Sequence, residues 1–178
     1  MEDPGGVNMT ALTDAQREFV AIGAAIGAGC QPCTQYHVKA ALKAGRSREE
    51  ILRSLDEAEA VRRQGGVAVA NVGRTMLGLG QEEAQVDAQP SDGRQALVYI
   101  GAAAGCNSGG LLARYLEGAG GLGLSAEELA EAVQVAQTVK EKGAMGFFAK
   151  DVERALGKLA STAAPAGGSA SCCAPGCG

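Results

Sequence analysis

Blocks of this sequence recur 78 residues apart, and no other feature constrains its fold as tightly. Ile22-Gly23-Ala24-Ala25 returns as Ile100-Gly101-Ala102-Ala103. Gly45-Arg46-Ser47-Arg48-Glu49-Glu50 returns as Gly123-Leu124-Ser125-Ala126-Glu127-Glu128, and Val61 with Gly65 as Val139 with Gly143. One offset that aligns three blocks points to duplication of a single supersecondary unit. The chain must therefore build the same small architecture twice.

The repeated unit reads as helical. Thr13-Asp14-Ala15-Gln16 is a capping box, followed by Phe19, Val20, Ile22, Ala25 and Ile26 at helical spacing until Gly27 and Gly29 interrupt. A second helix is expected from Pro32, whose missing N–H costs nothing in a first turn, through Val38, Ala41 and Leu42 to Gly45. Ser47-Arg48-Glu49-Glu50 opens a third through Ile51, Leu55, Ala58 and Val61, with Gly65-Gly66 read as its stop and a weaker helix from about Val67 to Leu77. The expected organisation is a first unit over 10–80, a linker over 81–93, a second unit over 94–160 and a flexible tail over 161–178, rich in Ala, Gly, Ser and Cys.

Composition narrows the function. Hydrophobic residues make 46% of the chain but aromatics only 3%, so the helices are expected to pack through small side chains. A net charge of -4 without a dense Lys/Arg run offers nothing to neutralise phosphates, which argues against nucleic acid as a partner. The longest apolar run, Phe19 to Gly29, is about half of what a bilayer span needs, and no membrane segment is expected. Met1-Glu2-Asp3-Pro4 is acidic and unlike a secretory signal, so a cytoplasmic location is expected.

Of six cysteines, two stand as Cys30-Gln31-Pro32-Cys33, Cys106 is alone, and Cys172, Cys173 and Cys177 crowd the tail. A C-x-x-C at a helix start has a direct use, because free N–H groups and the helix dipole stabilise thiolate there and the spacing lets the sulfurs close into a disulfide. His37 lies one turn beyond Cys33 on the same face, where it can take a thiol proton. Glu18, on the preceding helix, can orient His37 if the two helices run antiparallel. Cys30, Cys33 and His37 are also three of the four ligands of a zinc site, although no second C-x-x-C or second histidine completes it. Cys106 reads as a buried apolar filler.

Glu18, Cys30-x-x-Cys33 and His37 together reproduce the Glu-x11-Cys-x2-Cys-x3-His pattern of the alkylhydroperoxidase D-like branch of the carboxymuconolactone decarboxylase family. With the Gly45/Ser47/Glu50 continuation and the duplication, the resemblance covers roughly residues 10 to 155. It implies an all-α, alkylhydroperoxidase D-like fold in tandem duplication and a homo-oligomer, a trimer for a double-unit chain. It further implies peroxidase or thiol-disulfide oxidoreductase chemistry without an organic cofactor. Its substrate would be a peroxide or a disulfide, its reductant a lipoyl or thioredoxin-like dithiol, and a peroxiredoxin a possible partner. In that scheme Cys33 attacks, Cys30 resolves, His37 is the base and Glu18 activates it. Two departures stand out. Pro32 occupies the position of a histidine in alkylhydroperoxidase D, and the reactive pair sits in the first unit instead of the second. At the 78-residue offset Glu18, Cys30, Cys33 and His37 face Ala96, Ser108, Leu111 and Tyr115, so the second copy is degenerate.

The tail leaves a second reading open. Three soft thiols, Cys172, Cys173 and Cys177, could bind copper, mercury, zinc or arsenic, making the chain a metal- or metalloid-binding protein, or could relay electrons to the Cys30/Cys33 pair.

Overall fold

The computed structural model describes residues 11–82 and 89–162. Among these residues there are seven α-helices, one π-helical turn and no strand: α1 (Asp14–Gly27), α2 (Gln31–Lys43), α3 (Arg48–Met76), α4 (Gly93–Gly105), α5 (Gly109–Gly120), α6 (Ala126–Thr138), the π turn (Val139–Ala144) and α7 (Met145–Thr162). The duplication is legible in these bounds. α2 and α5 start at Gln31 and Gly109, and α3 and α6 at Arg48 and Ala126, 78 residues apart in both cases.

Local chemistry sets the ends. Thr13, Ser47 and Ser125 each close a capping box, satisfying N–H groups that the first turn leaves without partners. α1 stops because Gly29 takes φ +69°, a left-handed conformation suited to glycine, which lets the Cys30 N–H donate back to the Ala25 carbonyl at 2.9 Å. The corresponding residue after α4 is Asn107, at φ 59°.

The two copies meet through α1 and α4, whose backbones touch. A Cβ on Gly23 would lie 2.3 Å from the Val98 carbonyl oxygen, and one on Gly101 would lie 2.1 Å from that of Val20. Val98 is the counterpart of Val20 and Gly101 of Gly23, so the contact is self-complementary, as in a twofold dimer, but within one chain. Gly27 against Ala102 and Gly105 against Ala24 repeat the exchange one turn on. The small-residue composition thus has a specific outlet: the central crossing admits only glycine. Around it Leu12, Val20, Leu97, Val98, Ile100 and Tyr115 are almost fully buried.

Polar ties lock each copy onto the other. Arg17 Nε meets Glu131 Oε1 at 2.6 Å, and the Leu12 N–H donates to Glu131 Oε2 at 2.8 Å. Burial alone would raise the Glu131 carboxyl, but the Leu12 N–H and Arg17 outweigh it and hold it below the usual carboxylate range. Arg94 grips Glu57 with both terminal nitrogens at 2.8 Å and donates to Ser54 Oγ at 2.9 Å. The bond to Glu57 raises the Arg94 pKa further.

Three expectations change. Gly65-Gly66 does not stop a helix: α3 continues through it for 29 residues. Glycine inside a helix costs only about 1 kcal/mol relative to alanine, and Gly65 sits at a close approach, where a Cβ would fall 2.9 Å from Cys106 Sγ. The separate helix expected at Val67–Leu77 is therefore the second half of α3. Ser161 and Thr162, expected to open the tail, instead end α7. Residues 83–88 of the expected linker, and 163–178 with Cys172, Cys173 and Cys177, lie outside the described residues. No helix among the described residues is long and apolar enough to cross a membrane.

Candidate active site

Cys30 is the N-cap of α2 and Cys33 sits in its first turn, with Pro32 between them. The Schellman ending of α1 delivers the chain into this cap, so the end of one helix and the start of the next are fixed by the same two residues, Gly29 and Cys30. The two sulfurs are joined in a disulfide, with a Cα–Cα separation of 5.3 Å. The Cys33 N–H donates to Cys30 Sγ at 3.2 Å. When the bond opens, that N–H and its neighbours in the first turn face Cys30, favouring its thiolate.

His37 and Glu18 are brought together as the antiparallel reading requires. His37 Nδ1–H donates to Glu18 Oε2 at 2.9 Å, between side chains that are each mostly buried. A carboxylate only accepts, so Nδ1 carries the proton and Nε2 of the neutral ring is the basic nitrogen. Tyr36 packs edge-on against the imidazole at 5.0 Å. His37 lies four residues after Cys33 on α2, one turn along the same face.

Both cysteines are nearly inaccessible, Cys30 at 7% and Cys33 at 4% exposure, but they are covered differently. A cavity of about 500 Å³ reaches Cys30 and not Cys33, and its far walls come from the second copy: Lys140 in the π turn, and Met145, Phe147 and Phe148 on α7. Lys140 Nζ also donates to Asn107 Oδ1. Cys33 instead lies beneath Gly143, whose Cβ, if present, would be 3.2 Å from its sulfur.

The degenerate copy explains this construction. Gly65 and Gly143 are counterparts, and each roofs the other copy's cap region, Gly65 over Cys106 and Ser108, and Gly143 over Cys33. Where the first copy has the imidazole, the second has Tyr115, almost fully buried, whose hydroxyl donates to Gln64 Oε1 at 3.1 Å. The second copy has thus become the wall of the first copy's site. Cys106, expected to be a buried filler, is only partly buried, and burial pushes its thiol pKa up. Among the described residues no three His, Cys, Asp or Glu side chains converge as a metal site would need, so Cys30, Cys33 and His37 are not grouped as zinc ligands.

The sequence reading missed Gly143, Lys140 and the Phe147/Phe148 wall. Gly143 carried a signal, since it is the repeat partner of Gly65. The wall carried a weaker one: it holds two of the three phenylalanines in a chain otherwise poor in aromatics.

The described residues form an all-helical, alkylhydroperoxidase D-like fold of duplicated design with one C-x-x-C pair at a helix start. Residues 7–72, the first unit, match the carboxymuconolactone decarboxylase family. A solved structure from Burkholderia xenovorans LB400, of a protein whose name gives it as a gamma-carboxymuconolactone decarboxylase subunit, is similar with a TM-score of 0.56 and 19% identity. The likeness covers 83% of this chain and 80% of that one, and at this identity it concerns the fold. No curated protein matches the sequence significantly.

Proposed function

We propose that this protein is a thiol-disulfide oxidoreductase with alkylhydroperoxidase-like activity, and that it acts through Cys30 and Cys33. The observation that carries the reading is the cavity that opens on Cys30 at the α2 N-terminus while Glu18 and His37 are paired one turn beyond Cys33. Lactone decarboxylation finds no support in a site whose reactive groups are two thiols.

Access and helix position favour exchanging the roles that the family resemblance implies. Cys30 thiolate, reached from the cavity and stabilised by the first turn of α2, attacks the terminal peroxide oxygen. Oxygen passes to sulfur, the O–O bond breaks, and the alkoxide leaves as an alcohol after gaining a proton, so that Cys30 becomes a sulfenic acid. Cys33 then attacks Cys30 Sγ. His37 Nε2 takes the Cys33 proton and Glu18 steadies the imidazolium, while the sulfenic oxygen departs as water. An external dithiol of lipoyl or thioredoxin type returns two electrons and resets the pair.

The test is peroxide consumption driven by dihydrolipoamide. Cys30→Ser and Cys33→Ser should each abolish turnover. Turnover that survives both substitutions would remove the pair from the mechanism.

A further inference from the structure

We infer that the cavity beside Cys30 is the docking site of the chain's own cysteine tail, and that Cys172 or Cys173 together with Cys177 passes electrons into the Cys30–Cys33 disulfide. The inference rests on the redox reading of the pair and adds an internal reductant to it.

Three observations converge. The disulfide is buried, and the cavity that reaches it among the described residues is lined by Cys30, so a folded reductant needs an arm thin enough to enter before its own thiol can meet the bond. The cavity walls include Pro32, Met145, Phe147 and Phe148, with Gln31 and Asn107 as polar members and Lys140 as a cation beside them; Asp151, also on the wall, is paired with Arg154 at 2.8 Å. From Leu159 to Gly178 the chain carries no charged or aromatic side chain, so nothing in it resists entry into an apolar cleft, and Lys140 favours an incoming thiolate.

Reach fits as well. α7 leaves the cavity at Asp151 and ends at Thr162, eleven residues or about 16 Å along its axis. The ten residues from Thr162 to Cys172 extend at most about 35 Å, about twice the length of α7 back to Asp151. A tether long enough to reach its target turns the encounter into an intramolecular one and raises the effective concentration of the tail thiols.

The exchange balances within the chain. A Cys172 or Cys173 thiolate attacks Cys30 Sγ, the Cys30–Cys33 bond breaks, and Cys33 leaves as thiolate to be protonated through His37. Cys177 thiolate then attacks the tail sulfur of the mixed disulfide and releases Cys30. Two electrons have moved from the tail dithiol to the pair, and the two protons given up by the tail are taken by the pair. The tail disulfide is reduced from outside by a thioredoxin-type dithiol protein.

The full-length chain with Cys33→Ser and Cys177→Ser would trap the first intermediate. Mild oxidation at nanomolar concentration, followed by peptide mass mapping, should give an intrachain Cys30–Cys172 or Cys30–Cys173 link in most molecules. Cys30 left free, or linked only between chains, would overturn the proposal. In a second arm, Cys172, Cys173 and Cys177 are all replaced by serine. Reduction of the Cys30–Cys33 bond by thioredoxin should slow at least tenfold while reduction by dithiothreitol stays unchanged. Equal slowing with both reductants, or none with either, would also overturn it. Dithiothreitol-driven peroxide turnover of the same variant reports separately on the pair, so failure of the relay and failure of the redox reading are told apart.

Discussion

At the scale of single residues, His37 and Glu18 form one unit, and their substitution should behave as one. His37→Ala is expected to slow closure of the Cys30–Cys33 bond by roughly one hundred-fold near neutral pH, the size associated with a positioned proton acceptor. Glu18→Ala should cost less, and the double variant should be little worse than His37→Ala. Stopped-flow oxidation of the reduced protein measures all three, with circular dichroism as the control for folding, and additive losses would break the pair apart. Alkylation rates against pH in Cys30→Ser and Cys33→Ser address the order of attack. Cys30 should react faster, because it faces both the cavity and the helix end. Gly143 makes a different prediction. A methyl group there would press on Cys33 Sγ, which the disulfide holds in place and which the free thiol can rotate away. Gly143→Ala should therefore shift the equilibrium in glutathione buffers towards the dithiol by roughly fivefold, matching about 1 kcal/mol of side-chain strain. A shift towards the disulfide would mean that the π turn yields instead.

At the scale of elements, the α1–α4 crossing holds the two copies together. Gly23→Ala adds good helix propensity in a buried helix, yet its Cβ would sit 2.3 Å from a backbone oxygen that cannot rotate aside. It should destabilise the chain by about 3 kcal/mol, and more if α1 and α4 are forced apart. Denaturant unfolding reads this directly, and unchanged stability would show that the crossing is loose. The elements also mark what was legible in the sequence. Capping boxes at Thr13, Ser47 and Ser125 announce three helix starts because their signal is local: a hydroxyl and a Glu or Gln three residues on. The pairing of Glu18 with His37 was readable from spacing once α1 and α2 were taken as antiparallel. Gly65-Gly66 misled because a glycine needed for close approach and a glycine that ends a helix look alike without their neighbours. The π turn was hidden for a related reason. Val139–Ala144 has ordinary helical composition, and the turn becomes evident only when α6 and α7 run on as one path past Cys33.

At the scale of the molecule, the second halves of the long helices leave apolar stripes uncovered among the described residues. Val69, Val72 and Met76 recur at helical spacing on α3, exposed by 63% or more, and α7 exposes Val152 and Leu156. Such stripes are expected to be covered by further copies of the chain, in a closed symmetric assembly for which a trimer is the expected count. Sedimentation velocity at micromolar concentration should show a single species of about three chains, and Val72→Glu with Met76→Glu should reduce it to monomer. A monomeric wild type would leave those faces unexplained. The duplicated design gives the central claim its shape: one copy carries the chemistry, and the other walls the cleft. That claim is tested most directly by fully reducing the protein, adding one equivalent of an alkyl hydroperoxide, and counting thiols before and after, with mass mapping of the bond formed. In the variant with Cys172, Cys173 and Cys177 replaced by serine, two thiols per chain should disappear into a Cys30–Cys33 disulfide while Cys106 keeps its own. Three thiols surviving in that variant, or Cys106 oxidised in place of the pair, would contradict the account.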